Sequence, residues 1–222
     1  MNSKYSNLLT VLLVIIIIAI VGIMGFLAFS YFNNNKIKNN SENFVDSFLN
    51  DSNTNTNKDN NTTTDDDIFS GVDEGDKTTS STAGNVQKYE GFTIAGTIEI
   101  PATNLKVPII AKSEYSKSAL EKSVVELYGT GLNQVGNTTI VGHNYRNGLF
   151  FSNNKKLNIG DKIYITDLTG TRLTYTIYNK YEAADTESDY MTRDTEGATE
   201  ISLSTCTDDS KARLIIWAKA DA

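Results

Sequence analysis

The sequence predicts an all-β domain with minor α content, carried on one membrane-spanning helix. From Lys88 onward, short runs of alternating apolar and polar residues are separated by turn-forming residues, which is the pattern of half-buried strands. Runs of this kind predict an antiparallel barrel or a sandwich. One helix is expected at residues 117–127, where apolar residues repeat at helical spacing. The candidate strands are residues 95–100, 106–110, 138–141, 162–166, 172–182, 199–206 and 213–219.

The membrane-spanning helix is predicted at residues 8–29, where Thr10 is the only polar residue. At about 1.5 Å per residue this stretch crosses the roughly 30 Å of hydrocarbon in a bilayer. The run is longer than the apolar core of a cleaved signal peptide, so we expect an uncleaved anchor after a short tail of residues 1–7. Lys4 precedes the span, whereas Lys36 and Lys38 follow it, and the charges therefore leave its orientation open.

Residues 30–87 are predicted to form a flexible, low-complexity stalk, because Asn, Asp, Thr and Ser dominate their composition. Such a segment buries too little apolar surface to offset the entropy of ordering. Phe44, Val45, Phe48 and Leu49 share one helical face, which allows a short amphipathic helix near the membrane. Most of the net charge of −7 lies in the stalk. Without a dominant basic surface, nucleic acid is not an expected partner.

The chain contains a single cysteine, Cys206, at the end of a predicted strand. In an extended strand it shares the more polar face with Ser202 and Ser204. The turn at residues 207–210 follows at once, so the thiol is expected at the mouth of a hairpin. Burial as a small apolar side chain is the alternative. One cysteine excludes an internal disulfide, and one cysteine with one histidine cannot build a structural zinc site.

The only histidine, His143, directly follows another apolar strand. A reactive thiol needs a route to the thiolate and a proton donor for the leaving group, and no other imidazole is present. Arg213 lies early on the strand after Cys206, where a guanidinium could hold a developing oxyanion. A solvated loop histidine and an exposed strand arginine are the alternatives. Arg146, close to His143, competes with Arg213 for this role.

These residues together resemble the sortase family, the membrane-anchored cysteine transpeptidases of Gram-positive bacteria. Leu203-Ser204-Thr205-Cys206 with Arg213 resembles the family's Thr-Leu-x-Thr-Cys motif and downstream arginine, except that Ser202 stands where threonine is usual. Gly142-His143 with residues 148–151 and 157–161 resembles the surroundings of the family's histidine. Residues 96–101 and 107–109 are similar to its opening strands, and the whole resemblance spans about residues 96–219.

The resemblance implies an eight-stranded sortase-type β-barrel at residues 88–222 with Cys206, His143 and Arg213 as catalytic residues. Ser204 and Thr205 would contribute to substrate binding. The implied reaction cleaves a Leu-Pro-x-Thr-Gly-like sorting signal of a surface protein after its threonine and transfers the resulting acyl group to a peptidoglycan-precursor amine. Since these substrates lie outside the cell, the resemblance also implies a cytoplasmic N-terminus, a span at residues 8–29 in the cell membrane and an extracellular catalytic domain.

Within the family, the short turn at residues 207–210 and the absence of a long insertion before Cys206 are most similar to class D enzymes. A pilin-polymerising enzyme usually carries an Asp-Pro-aromatic lid, and the most similar stretch, Asp67-Ile68-Phe69, lacks the proline. A pilin polymerase, a purely hydrolytic thiol peptidase and a non-enzymatic binding module on a stalk are the alternatives. No cofactor is expected, although the acidic loop at residues 185–196 is similar to calcium-responsive loops of some relatives.

Overall fold

The computed structural model describes residues 3–56 and 87–221. Residues 57–86, which hold most of the predicted stalk and the Asp67-Ile68-Phe69 stretch, lie outside the described residues. The chain divides into two compact units, one that ends at Ser41 and one that begins at Glu42. Helix α1 (Ser3–Thr56) runs through the whole first described range.

The first half of α1 is apolar on all sides. Its large side chains are exposed, from Leu9 at 70% to Phe32 at 70%. By length and composition this helix can cross a membrane, with a mean hydropathy of 3.2 in its most apolar window. An exposed apolar surface of this extent is what a bilayer would cover.

Helix α1 continues beyond the predicted span, so residues 30–56 are helical where composition predicts a flexible stalk. The apolar face expected near the membrane accounts for the last part of this extension. Val45 and Phe48 are 0% and 2% exposed, and Phe48 packs against Tyr89 and Ile94. Burying each such side chain contributes about 1.5–3 kcal/mol. This gain offsets the entropy lost when residues 42–49 become helical, which their polar residues alone would not offset.

Residues 87–221 form nine strands, and eight of them close into the predicted barrel. The two-residue β1 pairs with the start of β2, while β2 also pairs with β6 and so joins the ends of the sheet. The order around the barrel is β2-β3-β4-β5-β8-β9-β7-β6. The strands are β1 (Lys88–Tyr89), β2 (Phe92–Ile100), β3 (Leu105–Ile110), β4 (Val124–Gly129), β5 (Gly136–Val141), β6 (Lys162–Asp167), β7 (Arg172–Ala184), β8 (Thr199–Cys206) and β9 (Ala212–Ala220).

The strand pattern predicted an antiparallel barrel or sandwich, but the barrel also contains two parallel strand pairs. Strand β3 runs parallel to β4, and β5 runs parallel to β8. Alternation along a strand reports which face is buried but not the direction of the neighbouring strand. The β5–β8 pair matters for function, because parallel strands end at the same edge of a barrel.

The predicted helix at residues 117–127 is wrong in its second half. Helix α2 covers only Lys117–Leu120, and β4 begins at Val124. The β-branched Val124 and Val125 are fully buried and pair with the end of β3. Tertiary pairing therefore overrides a helical spacing that rested on three apolar residues. The remaining short helix, α3 (Asp189–Thr192), lies in the connection between β7 and β8.

Candidate active site

Cys206 and Arg213 face each other across the β8–β9 hairpin. Cys206 is the last residue of β8, and its Cα partner on β9 is Arg213. The turn between them is fixed by Thr207, whose hydroxyl donates to Asp209 Oδ1 at 2.7 Å and whose amide donates to the Ala212 carbonyl at 3.0 Å. Arg213 Nη1 lies 2.7 Å from Cys206 Sγ as a donor. The thiol is half-buried and has a cation beside it.

His143 reaches the same edge of the barrel from β5. Since β5 and β8 are parallel, Val141 lies beside Ser204 at their common end. The Gly142 amide donates to the Ser204 carbonyl at 3.2 Å, and the Thr205 hydroxyl donates to the Gly142 carbonyl at 2.7 Å. The residue before His143 is therefore fastened to the two residues before Cys206.

Gly142 is required where the chain turns toward His143. A Cβ at this position would lie 2.8 Å from Val124 Cγ1 and 2.9 Å from Phe151 Cδ2. The 3₁₀ turn that begins at Phe151 also holds the loop, because the Phe151 amide donates to the His143 carbonyl at 3.2 Å. A side chain on Gly142 would push His143 out of this arrangement.

The environment of His143 favours its neutral imidazole. Burial lowers the pKa of His143 below its ordinary value. Glu121 opposes this effect through its negative charge, whereas Arg213 and Lys117 lower the pKa further. The ring also lies against Tyr145, with 4.8 Å between the ring centroids. His143 can therefore accept a proton and release it readily.

Asn144 connects the histidine loop to the cysteine hairpin, and sequence reasoning did not identify it. Its Nδ2 donates to the Cys206 carbonyl and to Asp208 Oδ1, both at 3.0 Å. Hydrogen bonds from Lys155 and from Asn144 lower the pKa of Asp208. The only signal for Asn144 in the sequence was its position next to His143. A sequence does not show which groups an amide side chain will bond.

Cys206, His143 and Arg213 all line one cavity of about 320 Å³, which we name the catalytic cavity. Its apolar wall includes Leu127 and Met191. A larger groove of about 650 Å³ shares these two wall residues with the catalytic cavity. A third cavity, of about 250 Å³, shares only Thr205 and Cys206 with it. The thiol is thus bordered by cavities on two sides.

The other residues named from sequence have mainly structural contacts. Ser204 and Thr205 line the catalytic cavity but are 4% and 3% exposed, and the Thr205 hydroxyl is occupied by Gly142. Ser202, at the position where threonine is usual, is fully buried, and its hydroxyl is placed to donate to Asn137 Oδ1 at 2.9 Å. The polar face of β8 therefore lies under the β7–β8 connection instead of facing solvent.

The remaining arginines lie apart from the thiol. Arg146 is exposed, and its Nη2 donates to Ser210 at 3.2 Å. Arg172 pairs with Glu99 at 2.6 Å. Within residues 3–56 and 87–221, no group of three or more His, Cys, Asp or Glu side chains is close enough together to hold a metal ion. This holds for the described acidic loop at residues 185–196 as well.

Known proteins match the part of the chain that forms the barrel. The family model described as "Sortase domain" matches residues 98–221. Sortase A of Bacillus anthracis is 34% identical over 124 residues, which cover 51% of this chain and 52% of that protein. The chain therefore spans about half the length of this curated relative.

Solved structures from three organisms have the same barrel. Sortase C1 of Streptococcus agalactiae, in complex with MTSET, has 25% identity and a TM-score of 0.52 over 58% of this chain and 69% of its own. Sortase D5 of Clostridium perfringens, described as a transpeptidase, has 26% identity and a TM-score of 0.51 over 59% and 80%. A lid mutant of sortase A from Corynebacterium diphtheriae has 25% identity and a TM-score of 0.52 over 58% and 70%.

Proposed function

The chain belongs to the sortase family of cysteine transpeptidases, and we propose that it cleaves a Leu-Pro-x-Thr-Gly-like sorting signal and transfers the cleaved protein to a cell-wall amine. One observation carries this proposal. The only cysteine, the only histidine and Arg213 line a single cavity, and the guanidinium donates to the sulfur at 2.7 Å.

In the acylation step, neutral His143 accepts the proton of the Cys206 thiol as Sγ attacks the carbonyl carbon of the threonine in the sorting signal. The C–S bond forms while the carbonyl π electrons move onto oxygen, and the Arg213 guanidinium donates to this oxyanion. The C–N bond to glycine then breaks, and protonated His143 gives its proton to the leaving amine. The product is a thioester on Cys206 and a neutral imidazole, the form that burial of His143 favours.

In the transfer step, an incoming amine attacks the thioester carbonyl and His143 removes its proton. The C–S bond breaks, and His143 passes this proton to the departing Cys206 sulfur, which restores the starting state. Asn144 keeps the backbone of Cys206 in position through both steps, because it holds the Cys206 carbonyl and the following turn. The barrel thus supplies a fixed frame, while the substrates supply the moving groups.

Attachment of surface proteins to the wall, as in class D enzymes, is the use we favour. The turn between β8 and β9 is short, and the sequence contains no Asp-Pro-aromatic lid. The apolar first half of α1 would cross the membrane with the N-terminus in the cytoplasm and the barrel outside, where these substrates lie. The acceptor would be an amine of a peptidoglycan precursor.

A trapped acyl adduct tests the proposal. The full chain in detergent is incubated with sorting-signal peptides, and the mass of the peptide that contains Cys206 is measured, with Cys206→Ala as the control. We expect an increase equal to the acyl fragment in the parent chain alone. Absence of an adduct with every peptide of a randomised sorting-signal library would contradict the proposal.

Adding an amine separates transfer from hydrolysis. With a diglycine or a peptidoglycan stem-peptide amine present, we expect a ligated product to replace the free acid. Turnover that yields only free acid at every amine concentration would assign the chain to the hydrolytic alternative.

A further inference from the structure

The β7–β8 connection, residues 185–198, builds one wall of both substrate-sized cavities near the thiol. Glu187 and Tyr190 line the catalytic cavity, Thr192 and Asp194 line the larger groove, and Met191 lines both. Helix α3 within this connection has only four residues. A helix of one turn is not stable alone, so external contacts must hold this wall.

One amide side chain from the barrel holds α3. Asn137 on β5 donates from Nδ2 to the carbonyls of Tyr190 and Met191, both at 3.0 Å. Ser202 Oγ on β8 lies 3.1 Å from the same Tyr190 carbonyl, and its single hydrogen can go either to this carbonyl or to Asn137 Oδ1. The cavity wall is therefore fastened to the β5–β8 pair that also carries His143 and Cys206.

Arg193, in the same connection, fixes the orientation of Asn137. Arg193 Nη2 donates to Asn137 Oδ1 at 3.0 Å, which leaves the amide nitrogen free to point at α3. Nη1 donates to the Tyr178 hydroxyl at 2.9 Å and forms an ion pair with Glu200. The guanidinium also stacks on Trp217, 4.5 Å from the ring centroid.

The ion pair at the centre of this group is largely buried. The side chains of Arg193 and Glu200 are 11% and 7% exposed. A planar guanidinium can serve the amide, the phenol, the carboxylate and the indole together, which an ammonium group cannot. In the low dielectric of a buried site these contacts are stronger than on the surface.

We propose that Arg193 is a positioning residue, which preforms the wall of the catalytic cavity by orienting Asn137 and anchoring the β7–β8 connection to the barrel. Arg193 has no contact with the thiol and acts through α3. The effect on turnover rests on the proposed transpeptidase function, whereas the effect on the loop does not. The loop and the turnover therefore need separate measurements.

Hydrogen exchange of the full chain in detergent measures the loop directly. The Glu187 amide donates to the Ala184 carbonyl at 3.0 Å and the Met191 amide to the Ser188 carbonyl at 2.9 Å, so both are expected to be protected. In Arg193→Gln we expect their exchange to accelerate on the order of tenfold, with unchanged exchange in β5 and β8. Asn137→Ala should give the same acceleration while leaving the Arg193–Glu200 pair intact.

Peptide kinetics measure the consequence. Arg193→Gln should raise KM for a sorting peptide about tenfold while kcat stays within about threefold, because the wall binds substrate but does not react. Arg193→Lys should lie between the parent and Arg193→Gln. The rate of Cys206 alkylation by iodoacetamide should not change, since the thiol keeps Arg213.

Arg172→Gln is the matched control. Arg172 also pairs with a glutamate, Glu99, and stacks on an aromatic ring, that of Tyr164 at 4.8 Å, but it lines none of the three cavities described above. We expect parent-like loop exchange and KM. Three results would each overturn the proposal. The first is unchanged loop exchange in Arg193→Gln, and the second is an equal change of loop exchange and KM in Arg172→Gln. The third is failure of both Arg193 variants to fold. A parent chain that cleaves no sorting peptide would refute the proposed function and leave the exchange result to decide on Arg193.

Discussion

Replacing Arg213 by lysine separates charge from geometry at the thiol. The guanidinium donates one N–H to Cys206 Sγ at 2.7 Å and has further donors for the oxyanion. Lysine keeps the charge but has no planar fork that can span sulfur and oxygen together. Loss of one oxyanion donor costs about 2.7–4 kcal/mol. At about 1.36 kcal/mol per factor of ten, kcat should fall roughly 100- to 1000-fold.

The assay is the initial rate of cleavage of a fluorogenic sorting peptide by the full chain in detergent. Arg146→Lys is the matched control, because Arg146 is exposed and contacts Ser210 instead of the sulfur. We expect parent-like rates for this control. A rate for Arg213→Lys within about threefold of the parent, or an equal loss in Arg146→Lys, would refute the assigned role of Arg213.

Four other substitutions test how the barrel prepares His143 and its loop. Lys117→Gln should raise the pKa of His143 and Glu121→Gln should lower it, because the Lys117 charge lowers this pKa and the Glu121 charge raises it. NMR titration of His143, the only histidine of the chain, measures both shifts. Two pKa shifts in the same direction would contradict this account. Thr205→Val removes the hydroxyl that donates to the buried Gly142 carbonyl and should lower the free energy of unfolding by about 1–3 kcal/mol. Urea unfolding measures this loss, with Thr205→Ser as the control that keeps the hydroxyl. An equal loss in Thr205→Ser would argue against the hydrogen bond. Gly142→Ala places a Cβ 2.8 Å from Val124 Cγ1, so it should lower the free energy of unfolding by about 1–3 kcal/mol and also reduce kcat. A variant with the stability and activity of the parent would contradict the packing argument.

The side chains that meet in the candidate site were largely visible in the sequence. A single cysteine at a strand end, a single histidine at another and an arginine across a short turn are composition and spacing facts. The hairpin register follows from the turn length, and the structure places Arg213 opposite Cys206. The position of Arg213 opposite Cys206 was predictable because it depends on one local hairpin, whereas the approach of His143 to Cys206 depends on the β5–β8 pairing.

Features that depend on distant pairing were not visible. The parallel neighbours of β3 and β5 leave no mark on the alternation within each strand. Strand β4 was misread as helix because Leu120, Val124 and Leu127 repeat at the helical spacings of four and three residues, although the run is short. Asn144 and Arg193 were missed as supports, since hydrogen bonds between distant side chains follow from the completed barrel.

The parallel β5–β8 pair explains how residues from two distant segments form one site. Both strands end at the same barrel edge, so His143 and Cys206 arrive together, and antiparallel β9 begins at that edge with Arg213. The Gly142 and Thr205 bonds hold the two strand ends in register. The relative position of His143 and Cys206 is thus set by backbone pairing and by Asn144. Substitution of any one of the three side chains should therefore leave the remaining two in place, which makes Cys206→Ala a suitable variant for capturing bound substrate.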